Sequence, residues 1–155
     1  MEMPAGFEID DDPERIDRDV VWTVLSTEVY WDLWRERSHV EAQLDSAWRL
    51  VGAYEVTTGR QVGFARAISD GVSFAYLADL VVTADARGCG LGKALVAAMI
   101  EDGPGAEFEW LLHTKDAHTL YERFGFRIPG RTVMERGSPR EPDYEAVPRA
   151  DSARR

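Results

Sequence analysis

The chain has one cysteine, Cys89, and three histidines, His39, His113 and His118, in 155 residues. A single cysteine excludes an intramolecular disulfide and a cysteine-rich zinc site, and histidines this scattered form no familiar ligand cluster, so no metal is expected. Positive charge is also short: 18 Lys and Arg against 28 Asp and Glu leave a formal charge of −10. With no basic stripe interleaved with aromatics, such a surface repels a phosphate backbone, which argues against a nucleic-acid partner. No apolar run approaches the roughly 18 residues that a membrane-spanning helix needs. The first residues, "MEMPAGFEIDDDPE", are acidic where a secretory or transit segment is basic. The expectation is a soluble, cytoplasmic protein with no membrane partner.

What is present is enough apolar material for a core: 45% hydrophobic residues, with five Trp, five Tyr and six Phe, in a chain of one-domain length. The acidic balance favours a cationic ligand such as an amine, or serves solubility alone. A short strand is expected at Phe7–Ile9. Residues Glu14–Leu25 carry Ile16, Val20, Val21, Val24 and Leu25 at helical spacing. The next stretch, "TEVYWDLWRERSHVEAQLDSAW", predicts one further helix or two short ones. Strand-like runs at Trp48–Glu55, Gln61–Ser69 and Val72–Thr83, separated by "TTGR" and "SDG", predict an antiparallel meander. A helix from Gly90 follows, with Leu91, Leu95 and Met99 on one stripe, stopped by "DGPG". Then come a strand at Glu107–Thr114, a short helix in "DAHTLYERF" closed by Gly125, and a last strand at Arg131–Arg136. The pattern implies a single domain over 1–136. The tail, 137–155, rich in Pro and charge, reads as a flexible end or an arm ordered only in an assembly.

The stretch "ADARGCGLGKALVAAMIED" places Gly88, Gly90 and Gly92 directly before that apolar helix. It is not a Walker loop, because Arg87 stands where the first glycine belongs and Ala94, not Ser or Thr, follows Lys93. It is not a dinucleotide fingerprint either, since the glycines alternate and no acidic residue follows on a strand at the required distance. What remains is helix-end physics: unpaired N–H groups and the positive end of a helix dipole converge on one spot, which suits an anion. Arg87 and Lys93 offer charge-assisted hydrogen bonds to phosphate oxygens. The plain alternative is a strand-to-helix turn built of small residues.

The segment "DLVVTADARGCGLGKALVAAMI" resembles the cofactor motif of the GNAT superfamily of acetyl-CoA-dependent N-acetyltransferases, in which a strand is followed by [RQ]-x-x-G-x-[GA] and a helix. Arg87, Gly90 and Gly92 hold the defining positions; Gly88, Cys89 and Leu91 fill the variable ones. A second block, "LLHTKDAHTLYERFGFR", resembles the family's strand, short helix and Tyr-x-x-x-Gly-Phe closure, with Ala117, Leu120 and Tyr121 in matching places. The "VYWDLWRERS" stretch is similar to a subgroup of bacterial GNAT proteins. The resemblance implies an α+β fold, a mostly antiparallel twisted sheet of six to seven strands flanked by about four helices. It also implies acetyl-CoA as acetyl donor, its pyrophosphate on the amides of Gly88–Lys93 and its pantetheine arm beside Leu80, Val81 and Val82. Where many relatives carry Asn to contact that arm, this chain has Thr114.

Acetyl transfer to an amine needs a neutral amine, a polarised thioester carbonyl and a proton for the departing thiolate. By resemblance Tyr121 supplies the proton; otherwise it is a core tyrosine beside Phe124. Backbone N–H groups of Leu80–Val82 would polarise the carbonyl. For the base there are three candidates. Asp79 interrupts an apolar strand, Glu28 lies near Tyr30 and Trp31, and His113 sits on the fifth strand. Their ordinary alternatives are an ion-pair partner of an arginine, a solvated helix residue and a hydrogen-bonded strand residue. Trp22, Tyr30, Trp31 and Trp34 either line an acceptor pocket, where rings attract a cationic amine, or belong to the core. Cys89 raises a rival covalent route through a thiolate at a helix N-terminus, at a position set beside the pyrophosphate and away from the thioester. The acceptor is expected to be a small-molecule primary amine, with a protein N-terminus or lysine, or acyl-CoA binding without turnover, as alternatives. Dimers are common in the family, and the tail is a candidate exchange arm for a homodimer.

Overall fold

The computed structural model describes residues 2–29 and 34–140. Its five strands, β1 (Phe7–Asp10), β2 (Arg49–Glu55), β3 (Gln61–Ser69), β4 (Phe74–Val82) and β5 (Glu109–Leu112), lie in the order β1-β2-β3-β4-β5. The first four pair antiparallel, as the meander predicts, and β5 joins β4 in parallel. The turns follow local chemistry. Asp70 accepts hydrogen bonds from the N–H groups of Val72, Ser73 and Phe74, which hold its carboxyl well below the ordinary range.

The helices take both faces of the sheet. α1 (Arg18–Thr27) and α2 (Arg37–Asp45) cover one; α3 (Leu91–Val96), continued by a π-helical turn at Ala97–Glu101, covers the other; α4 (His118–Glu122) closes the cleft described below. The expected helix from Glu14 is divided. Pro13–Arg15 forms a 3-10 turn, and Asp17 then caps α1 by accepting from Asp19 N–H at 3.0 Å and Val20 N–H at 3.1 Å. Such a cap is worth about 1 kcal/mol and fixes where the helix begins.

Strand alternation sorts the core into two layers. Val51, Ala53, Val62, Ala65, Ala67 and Leu77 face Leu91, Leu95, Val96 and Met99 of α3 and its extension. Leu50, Phe64 and Val81 point the other way, to Val21, Val24 and Leu25 of α1 and Val40 and Leu44 of α2. Gly63 is small by necessity: a Cβ there would stand 2.9 Å from the Val81 carbonyl oxygen and 3.1 Å from Leu95 Cδ1.

The expected last strand at Arg131–Arg136 does not form, so the described residues carry five strands rather than six or seven. That segment has only two apolar residues, Val133 and Met134, and both are exposed; Pro129, Gly130, Gly137 and Pro139 bound it. It cannot bury a face and gains little from pairing. β5 is also shorter than expected, because β4 leaves it after the pair Leu77↔Leu112. No helix among the described residues is long and apolar enough to cross a membrane.

Candidate functional site

Beyond Leu77, β4 runs on to Val82 paired only with β3, while the chain after Leu112 turns away toward α4. The strands part, and the β5-facing backbone of 78–82 has no strand partner among the described residues. A cleft of about 380 Å³ occupies this wedge. Leu80, Val81 and Val82 form one wall, Ala86, Arg87, Gly88, Gly90, Leu91 and Gly92 the end, and Ala117, Leu120 and Tyr121 the far side. Residues separated by some forty positions in sequence thus meet around one cavity.

The glycine loop explains its own composition. Gly88 and Gly90 adopt φ of 83° and 97°, in the left-handed region that a Cβ disfavours, and Gly90 serves as the N-cap of α3. Gly92 has no positive φ, and a Cβ there would stand 4.0 Å from Leu120 Cδ2, an ordinary van der Waals contact, so neither backbone nor packing against α4 demands a glycine at this position. The first helical bond is Ala94 N–H to Gly90 O at 3.1 Å, which places the amides of Leu91, Gly92 and Lys93 ahead of the intrahelical ladder, with Leu91 and Gly92 at the cleft's end.

Arg87 has other partners than the anion expected of it. Its Nε donates to Val82 O at 2.9 Å and its Nη2 to Glu28 Oε2 at 3.2 Å, and the same Glu28 oxygen accepts from Ala84 N–H at 2.9 Å. These bonds tie the end of α1 to the turn between β4 and the glycine loop. They fix the loop's entry and engage Glu28 structurally.

Asp79 is 3% exposed and lies between two arginines, accepting from Arg66 Nε at 2.5 Å and from Arg35 Nη2 at 2.9 Å. Its ion-pair reading is the one that matches this geometry. Each of its two carboxylate oxygens accepts from a guanidinium, so the group is engaged in holding β3, β4 and the chain at Arg35 together.

Tyr121 is 8% exposed, lines the cleft and packs edge-on against Phe126, with ring centroids 5.8 Å apart. Phe126, rather than Phe124, makes this ring contact. Burial, helped by the charge of Asp116, pushes the phenol up to about 12, so it stays protonated at neutral pH. His113 follows the last residue of β5 and is exposed; its Nδ1 meets the Tyr76 hydroxyl at 2.7 Å and its Nε2 contacts a Glu135 carboxylate oxygen.

Three of the loop and strand candidates stand off the cleft wall. Cys89 is exposed and its thiol donates to Ala86 O at 3.1 Å, turned into the loop. Lys93 faces a separate recess formed with Glu2, Met3, Pro4 and Ala5. The Thr114 hydroxyl accepts from Ala117 N–H at 3.0 Å and so anchors the start of α4. Trp22 packs on the α1–α2 core layer. Trp34 is partly buried, and its indole N–H has no hydrogen-bond partner among the described residues. Tyr30 and Trp31 lie outside the described residues. Sequence reasoning left Ala86 and Leu120 out of the lining; the only signal for Leu120 was its place in the second motif.

Comparison with known proteins agrees with this architecture. Residues 47–128 match the family model described as an acetyltransferase (GNAT) domain. The crystal structure of an acetyltransferase assigned to the GNAT family, from Xanthomonas campestris pv. campestris, is 34% identical, with a TM-score of 0.78 over 86% of this chain and 94% of that one. An acetyltransferase of Gibberella zeae is 27% identical over 112 residues, covering 70% of this chain and 61% of the relative. The chloroplastic GCN5-related N-acetyltransferase 1 of Arabidopsis thaliana is 40% identical over 68 residues, 44% of this chain and 34% of the relative. The chain therefore spans less than two thirds of the length of these two curated relatives. With more than half its length matched by the family model and its sheet parting around a glycine loop, the chain belongs to the GNAT family of acetyltransferases.

Proposed function

We propose that the protein transfers the acetyl group of acetyl-CoA directly to a primary amine of a small molecule, with both substrates bound together. The observation that carries this reading is the wedge between β4 and β5, which joins helix-end amides, unpaired strand backbone and a protonated tyrosine in one cleft. The amides of Gly88–Lys93 would hold the pyrophosphate, where the dipole of α3 and the loop's lack of side chains admit an anion. The open backbone of Leu80–Val82 would take the pantetheine arm as an added strand and polarise the thioester carbonyl. Acetyl-CoA supplies the activated acyl group. Tyr121, protonated and buried across the cleft, would give its proton to the leaving thiolate.

Of the three candidate bases, Asp79 and Glu28 are committed to arginines, which leaves His113. The acceptor end is best marked by Trp34, which precedes Arg35 of the Arg35–Asp79–Arg66 cluster and whose buried N–H has no hydrogen-bond partner among the described residues. The acidic surface and the indole ring support a cationic amine over an anionic acceptor.

The test is acetyl-CoA binding by calorimetry together with thiol release against amines, amino acids, polyamines, aminoglycosides and short peptides. Tyr121→Phe should bind acetyl-CoA as the wild type does and release thiol about 10²-fold more slowly. Tight acetyl-CoA binding with no thiol release from any acceptor would favour a binding module instead.

A further inference from the structure

We infer that Tyr76, His113 and Glu135 form a proton relay that takes the proton of the incoming ammonium from the apex of the wedge to solvent, with Tyr76 as the group that meets the acceptor. This rests on the acetyl-transfer reading above. Tyr76 pairs with Leu111 one step before β4 and β5 part, and His113 is the first residue past the last pair, Leu77↔Leu112. Trp110, Leu112 and Leu77 turn to the α3 side of the sheet. Alternation therefore sends Tyr76 and His113 to the opposite face, and because a β-bulge at Ala78 reverses the alternation of β4 beyond Leu77, that face also carries Asp79, opposite Arg66. On that face their rings stand 5.7 Å apart, centroid to centroid.

The hydrogen bonds give the chain a direction. Glu135 is a carboxylate, which accepts only, so His113 donates Nε2–H to it and presents the Nδ1 lone pair to the Tyr76 hydroxyl at 2.7 Å. This is the base–orienter order of a hydrolytic triad with a phenol in the nucleophile's place. Glu135 comes from the segment that fails to form a strand, and this imidazole ties it to the end of β5. Tyr76 is partly buried whereas His113 and Glu135 are 59% and 63% exposed, so the chain runs from protein to water.

Position fits the task. Ala78, two residues on from Tyr76 at the β-bulge, begins the backbone of 78–82 that leads to Leu80 and has no strand partner on its β5 side among the described residues, so Tyr76 stands at the start of that open edge. In the step, the ammonium N–H bond breaks and its proton passes to the Tyr76 oxygen as that oxygen passes its own proton to His113 Nδ1. Tyr76 ends unchanged, His113 becomes imidazolium stabilised by Glu135, and the neutral amine is free to attack the thioester. The exposed imidazolium then returns its proton to water. Tyr76 is thus the catalytic residue of the relay, and His113 and Glu135 act through it.

The test uses two small nucleophiles with the full-length protein and acetyl-CoA at neutral pH: ethylamine, which is almost wholly protonated, and hydroxylamine, which is already largely neutral. Tyr76→Phe and His113→Gln should each lose about 10²-fold in enzyme-dependent thiol release with ethylamine and little with hydroxylamine. Glu135→Gln should lose about tenfold with ethylamine only, with Glu135→Asp restoring most of it. Nitrogen-detected histidine spectra should show His113 protonated at Nε2 in the wild type and a mixed tautomer in Glu135→Gln. Equal losses with both nucleophiles, or none with ethylamine, would overturn the relay while leaving acetyl transfer standing. No release from either nucleophile by the wild type would overturn the acetyl-transfer reading and the relay with it.

Discussion

Replacing Asp79 by Asn separates a structural carboxylate from a catalytic one. The substitution keeps size and shape but leaves Arg66 Nε and Arg35 Nη2, now 2.5 and 2.9 Å from carboxylate oxygens, facing a neutral amide with a single acceptor oxygen. The side chains of the three residues are 6% exposed or less, so water screens little of the loss. Removing one partner of a buried ion pair costs about 3–5 kcal/mol. For a chain of this length each kcal/mol moves the melting temperature by about 2–4 °C, so Asp79→Asn should melt roughly 6–20 °C below the wild type. Thermal denaturation by circular dichroism, paired with urea titration, reads this directly. The triple replacement Asp79→Leu, Arg66→Met and Arg35→Met should recover part of it, because an apolar cluster of similar volume avoids the desolvation of charges. The reasoning fails if Asp79→Asn melts within about 2 °C of the wild type yet loses thiol release while still binding acetyl-CoA. That outcome would make Asp79 the base.

Gly90→Ala should cost about 1–2 kcal/mol from its φ of 97° alone, and calorimetry should show acetyl-CoA affinity falling with it, since the amide cradle shifts. Gly63→Ala forces a Cβ against the Val81 carbonyl at 2.9 Å and should destabilise by about 1–3 kcal/mol, seen as a lower urea midpoint with unchanged slope. Tyr121 and Tyr54 are both pushed up to about 12 by burial. Their stabilising contribution is whole below pH 10, where both folded and unfolded phenols are protonated, and is lost as pH rises toward 12. Melting temperature should therefore fall steeply above about pH 10, and less steeply in Tyr121→Phe. Cys89→Ser should retain full activity in the thiol-release assay, because the thiol is turned to Ala86 O rather than into the cleft.

Where sequence and structure differ, the differences have local causes. The break before α1 follows from Asp17, whose capping bonds begin a helix that periodicity alone extends back to Glu14. The missing strand at Arg131–Arg136 follows from too little apolar surface to bury. Arg87 reads in sequence as a phosphate ligand because it precedes a glycine loop; folding turns it to Val82 O and Glu28 instead. Tyr76 and Glu135 are silent in sequence. Nothing in a strand tyrosine or in a glutamate of an irregular segment announces that both will reach one histidine.

The sequence by itself determined the elements whose signals are local. Apolar alternation set the meander, helical periodicity and the "DGPG" stop set α3, and the glycine spacing marked a loop of small residues at a helix start. Together with the second motif around Tyr121, that was enough to mark the residues that meet around one cleft. Tertiary structure alone decided which charged groups are spent on holding the fold and which remain for chemistry. Asp79 and Glu28 are bound by arginines 13 to 59 positions away, and His113 is oriented by residues 37 positions before it and 22 after it. A side chain's capacity to take a proton depends on these partners and on burial, and neither is written in the order of the residues.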